Sequence, residues 1–253
     1  MQRSSLITGY QLRAKDGTIG SIDDLLFDES HFGVRWVVVD TGTWLPGLKV
    51  LLPPSALSDP DTDVREYPVD LVKDQIKEAP GLASDQPVSR QMETDIYGYY
   101  GWTPYWYGGF GYPAPGGMVP AGAMPVTPPV SSEDPRDVQA GDLGDPQLRS
   151  ANEVTGYNVE ATDGSIGHIE DVMVDETDWA IRYLMVDTKN WWPGKKVLIS
   201  PDWRREIVWS EQKIYVDVTR DKVKNAPEFD PSMTIDRGYE DSIFAHYGFR
   251  PYW

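Results

Sequence analysis

The chain contains the same sequence twice. Thr8 to Leu51 reads TGYQLRAKDGTIGSIDDLLFDESHFGVRWVVVDTGTWLPGLKVL, and Thr155 to Leu198 reads TGYNVEATDGSIGHIEDVMVDETDWAIRYLMVDTKNWWPGKKVL. The offset is 147 at the first threonines (155 − 8), and it is unchanged at Trp44/Trp191, at Pro80/Pro227 and at Trp106/Trp253. The duplication therefore runs end to end with no net insertion. A period of this size predicts two domains of about a hundred residues each, and any fold must be one that either copy can build. The boundaries that follow are residues 1–106 for a first lobe, 107–147 for a linker and 148–253 for a second lobe.

Within a copy the turns come too close together for crossover helices. Tyr10 to Arg13 alternates apolar and polar residues, and Asp16-Gly17 suits a tight hairpin turn. Ile19 to Phe27 reads as a strand that bends or bulges at Gly20. Val34 to Val39 is a β-branched and aromatic run, bounded by Gly33 and by Asp40-Thr41-Gly42, and it predicts a central strand. Pro46-Gly47 marks a turn, Lys49 to Leu52 a further strand stopped by Pro53-Pro54, and Glu66 to Val72 a last one. The fold class that follows is mainly β: two small antiparallel β-barrels, closed so that no edge is left exposed, each followed by short helices. Val72 to Pro80 and Val218 to Pro227 read as single helical turns stopped by proline, with Thr219 as a cap. Ser89 to Tyr100 and Thr234 to Tyr247 predict longer helices, with Met92, Ile96 and Tyr99 at helical spacing, and each copy ends in an aromatic tail. More than a third of residues 107–147 are glycine or proline, which predicts a flexible linker. A chain of that length spans roughly 35 Å, enough for lobes to pair within one chain or as a homodimer.

Composition narrows function. A net charge of −17 repels phosphate backbones and anionic lipid surfaces, so nucleic acid is disfavoured as a partner. There is no cysteine, which removes disulfides and thiolate chemistry together. The longest apolar runs are too short to cross a bilayer, and MQRSSLITGY lacks the apolar core of a secretory signal. The expectation is a cytoplasmic protein without membrane insertion, whose association with a membrane would be peripheral and through a partner complex.

The pattern GYxLxxxDGxIGxIxDLxxD in the first copy leads into RWVVVDTGTWLPGLKVLLP, and its counterpart in the second copy into RYLMVDTKNWWPGKKVLISP. This order of turns and strands resembles the PRC-barrel domain over residues 5–80 and 152–227. The family includes the cytoplasmic domain of the photosynthetic reaction centre H subunit and a ribosome maturation factor. Two copies with helical tails are similar to stand-alone bacterial PRC-barrel proteins. The resemblance implies a non-enzymatic module for protein interaction or assembly. Its alternatives are an H-subunit-like component or regulator of electron transfer and proton delivery, and a ribosome or RNA assembly factor. It assigns no catalytic residue, cofactor or metal.

Charges kept at the 147-residue offset are Asp16/Asp163, Asp24/Asp171, Asp28/Asp175, Arg35/Arg182, Asp40/Asp187 and Lys49/Lys196. They read as turn residues and strand-end ion pairs, or else as a repeated carboxylate cluster for ions or protons. The turn aromatics Trp44 and Trp191, and the tail aromatics Tyr105, Trp106, Tyr252 and Trp253, are the interface candidates. Each must be covered by its own lobe, the other lobe or a partner. His31, His168 and His246 recur in neither copy and match no metal spacing. Asp59 to Asp63 opens like a calcium loop, but Val64 and Asp70 stand where that loop needs glycine and glutamate.

Overall fold

The structure is a computed structural model, described over residues 1–83, 88–105, 147–188 and 195–253. The linker reading of 107–147 therefore lies almost wholly outside the described residues. In chain order the first copy gives β1 (Gln2–Arg3), α1 (Ser4–Ile7), β2 (Gln11–Ala14), β3 (Gly17–Asp28), β4 (Val34–Asp40), β5 (Leu48–Leu52), β6 (Glu66–Pro68), α2 (Lys73–Glu78), β7 (Leu82–Ala83) and α3 (Arg90–Tyr100). The second gives β8 (Leu148–Ser150), α4 (Ala151–Val154), β9 (Asn158–Ala161), β10 (Gly164–Asp175), β11 (Ala180–Asp187), β12 (Lys196–Ile199), β13 (Arg204–Val208), β14 (Lys213–Val216), α5 (Arg220–Asn225) and α6 (Arg237–Tyr247).

The strands form two seven-stranded sheets, ordered β6-β2-β3-β4-β5-β7 with β8 on β3, and β12-β11-β10-β9-β14-β13 with β1 on β10. Pairing is antiparallel for β1–β10, β2–β3, β4–β5, β5–β7, β9–β10, β10–β11, β11–β12 and β13–β14, and parallel where β6 meets β2 and β14 meets β9. The predicted closure is not seen. Among the described residues, the strands ending each path are not hydrogen-bonded to each other. The edges are blunted by other means. β6 stops at Pro68, which has no N–H to extend a ladder, and Phe229 N–H donates to Lys196 O on the edge strand β12 (2.8 Å). The pairing with the first hairpin strand nevertheless runs on past Pro68 along the expected strand over 66–72, with Val69 N–H donating to Arg13 O (2.8 Å) and Lys15 N–H to Leu71 O (2.9 Å).

The bend foreseen at Gly20 is present. The β2–β3 register slips between Leu12 and Arg13, and the β9–β10 register slips between Ser165 and Gly167. Each glycine lies under a carbonyl of the neighbouring strand: a Cβ on Gly20 or Gly167 would stand 2.0 Å from Asp40 O or Asp187 O. Only glycine permits that approach.

Two compact units result. One comprises Met1–Gly9, Asp24–Val34 and Arg149–Trp253; the other comprises Tyr10–Asp23 and Arg35–Leu148. The first is centred on Ile7, Phe27, Val159, Ile169, Tyr183, Leu184 and Phe244, all buried. The second is centred on Leu12, Trp36, Val37, Leu52, Tyr67 and Ile96. Alternation along β2 and β9 supplies one inward face, whereas nearly every residue of β4 and β11 is buried, as expected of central strands.

Candidate functional site

A buried glutamate recurs in both copies and gathers the aromatic tail around it. In the first unit, Asp236 caps α6 by accepting from Tyr239 N–H (2.8 Å), and Gly248 ends the helix in the left-handed conformation. This start places Glu240 on the same buried face as Ile243, Phe244 and Tyr247. Its Oε1 accepts from Tyr183 Oη of β11 (2.9 Å) and from Tyr252 Oη of the tail (2.8 Å), while Oε2 pairs with Arg237 (3.1 Å). Arg182 of β11 lies over the Tyr252 ring at 4.1 Å, and Arg237 over Trp253 at 3.9 Å.

The second unit repeats the arrangement 147 residues earlier. Ser89 caps α3 by accepting from Met92 N–H (3.2 Å). Glu93, fully buried, accepts from Trp36 Nε1–H (2.7 Å) and pairs with Arg90 (3.2 Å). Arg35 lies over Tyr105 at 4.5 Å, and the Arg90 guanidinium donates to the Tyr105 hydroxyl. Trp36 stands where the other copy has Tyr183, so the ring differs but a donor aimed at the carboxylate remains.

A carboxylate this deep costs several kcal/mol in lost hydration, roughly, which several charge-assisted donors offset. Burial first, and then the adjacent carboxylate, push the tail hydroxyls up to about 12 at both Tyr105 and Tyr252, and move Tyr183 in the same direction. At neutral pH these phenols keep their protons. The glutamate is thus a clamp that ties helix, strand and tail together.

The kept aspartates have work of their own. Asp16 accepts from Lys73 N–H (2.9 Å) and Asp163 from Arg220 N–H (2.7 Å), which caps α2 and α5. Asp28 accepts from Ser30 and His31 N–H, Asp175 from Thr177 N–H, and Asp40 from Gly42 N–H. Lys49 pairs with Asp23 (2.7 Å) and Lys196 with Glu170 (2.5 Å), the expected strand-end ion pairs. Thr219 accepts from Lys222 N–H (3.3 Å), as its capping role requires. Among the described residues, no group of three or more acidic or histidine side chains is placed to hold a metal ion.

Residues 146–223 match the PRC-barrel domain. Comparison with curated proteins gives no match. The PRC-barrel segment holds β8 through most of α5, so Glu240 and the aromatic tail lie beyond it. Among the described residues, no helix is long and apolar enough to cross a membrane.

The interface candidates are sorted by their surroundings in each unit. Trp44 is half-buried, with the Lys73 ammonium 4.6 Å above its ring, at the rim of a cavity of about 340 Å³ that is also lined by Gly20, Asp40 and Thr43. Tyr105 and Tyr252 belong to the clamps. Trp253 contacts Phe244 yet stays 48% exposed. Trp106 and Trp191 lie outside the described residues. Glu93/Glu240 and Arg90/Arg237 were absent from the kept charges singled out in the sequence. The signal was available, because the 147-residue offset continues through the tail helices, but nothing in the sequence set a helical glutamate apart from a solvated one. The apolar face expected of α3 is also displaced: Ile96 is buried, but Tyr99 is 41% exposed and donates its hydroxyl to Gln75 O (2.8 Å).

Proposed function

We propose that this chain is a non-enzymatic module for protein interaction or assembly, built from two PRC-barrel lobes over residues 1–106 and 148–253. The observation that carries the reading is the end of the second tail. Trp253 is held by Phe244 and Arg237, and Tyr252 by Arg182 and Glu240, yet almost half of the Trp253 surface faces outward. Tryptophan and arginine fixed in one orientation form the kind of surface on which binding energy concentrates, because little side-chain freedom remains to be lost. An acidic chain favours a partner with a complementary basic patch.

The test is affinity purification of the full chain from its native host beside Trp253→Ala and Arg237→Ala. A protein retained by the parent and depleted at least tenfold by Trp253→Ala supports the reading. Identical retention by all three removes this surface from consideration. Recovery of a membrane redox complex or of ribosomal particles would instead favour electron-transfer regulation or ribosome assembly.

A further inference from the structure

Each copy's first residues are bound by the other copy. In the unit containing Met1–Gly9, Asp24–Val34 and Arg149–Trp253, β1 pairs with β10 in the register Gln2↔Val174 and Arg3↔Met173. Asp171 of β10 accepts from Ser4 Oγ (2.7 Å) and Ser5 N–H (3.2 Å), and the Ser5 hydroxyl donates to its other oxygen. Ile7, at the end of α1, is completely buried. The reverse contact has the same form. β8 pairs with β3, Asp24 accepts from Ser150 Oγ (2.5 Å) and Asn152 N–H (3.1 Å), and Arg149 donates to Glu29 (2.9 Å). A third pair joins the hairpin turns. Val34 N–H donates to Trp179 O and Ile181 N–H to Phe32 O, each at 2.8 Å, with Phe32 and Trp179 both at positive φ. The donors and acceptors of that last pair differ by 147, so the exchange is reciprocal.

We propose that residues 1–9 and 148–156 are mutual docking segments, and that the face of β10 around Asp171 is a peptide-binding surface whose ligand is the Arg-Ser-Ser-Leu-Ile-Thr-Gly segment of the first copy. Asp171 is 3% exposed, and its partners other than its neighbour Val172 N–H come from that segment. Removing the segment strands a buried carboxylate and uncovers the apolar site of Ile7. Strand pairing supplies affinity, and the aspartate fixes register by capping the first turn of α1, as in recognition by strand addition. This inference is independent of any outside partner and survives the loss of the Trp253 surface.

The experiment uses the full chain with a protease site inserted between residues 107 and 146, cleaved and then sized by chromatography with light scattering. The two fragments are expected to co-elute at the mass of the uncut chain. In the cleaved Asp24→Ala/Asp171→Ala variant they are expected to separate at a concentration about a hundredfold higher, corresponding to loss of the charge-assisted bonds at both ends. Asp24→Asn/Asp171→Asn, which retains an acceptor, should fall between, and Glu211→Ala at an exposed ion pair should match the parent. Elution of the parent fragments at their separate masses, precipitation of either one, or an alanine variant that holds together as tightly as the parent would each overturn the proposal.

Discussion

Removing the Glu240 carboxylate tests whether the clamp holds the tail to the sheet. In Glu240→Ala, the Tyr183 hydroxyl loses its acceptor in a place where the ring is completely buried, so water cannot replace it. An orphaned buried donor costs about 1–3 kcal/mol. Tyr252 and Arg237 are less enclosed and regain water, but the tail loses its anchor and a space opens beside Phe244. Together the loss is expected to be about 3–5 kcal/mol, the range for breaking a buried, fully partnered charge. Glu240→Gln keeps one carbonyl for a tyrosine and should cost about 1–2 kcal/mol. Urea unfolding followed by far-ultraviolet circular dichroism measures both, and tryptophan fluorescence reports whether Trp253 leaves Phe244 in the same transition. If Ala and Gln are equivalent, or both lie within about 0.5 kcal/mol of the parent as surface substitutions do, the carboxylate is not the anchor and the reasoning fails.

Glu93→Ala should destabilise to a similar extent, about 3–5 kcal/mol, because it orphans the indole N–H of the fully buried Trp36; a shift in that indole's emission is the readout. Gly20→Ala should cost about 3 kcal/mol, since its Cβ would sit 2.0 Å from Asp40 O and one strand must move. Gly98→Ala, inside α3 with open space around the new methyl, should stabilise by about 0.5–1 kcal/mol in the same urea assay. The tail tyrosines have folded-state pKa values above their unfolded ones, so their contribution is complete below about pH 10 and is lost as pH rises toward about 12. Tyrosinate absorbance should show Tyr252 titrating at lower pH in Glu240→Gln, where burial still acts but the carboxylate charge is gone.

The local elements were legible because short-range chemistry sets them. The β-branched run at Val34–Val39, the Asp16-Gly17 turn and the cap at Thr219 depend on neighbours a few residues away, and the structure places β4, the β2–β3 hairpin and α5 there. Of the interface candidates, Trp44 and Tyr105 turn out to be held by Lys73 and by Arg35 of their own unit. The carboxylate pairs were legible only in part. Asp16 and Asp163 read as turn residues and are turn residues that also cap helices 57 positions away, a partner no local rule names. Closure was overestimated, because the argument that exposed edges must be removed does not say whether a strand, a proline or a loop removes them.

By itself the sequence determined that this protein is built twice from the same short strands, since a constant offset of 147 residues and the spacing of turns leave few other ways to bury the apolar positions. Only the tertiary structure decided that Asp24 and Asp171 serve the opposite copy, and that Glu93 and Glu240 are buried clamps. Two equivalent copies present equivalent surfaces to each other. The local sequence around each aspartate is nearly the same in both copies, so only the path of the chain decides which segment each one meets.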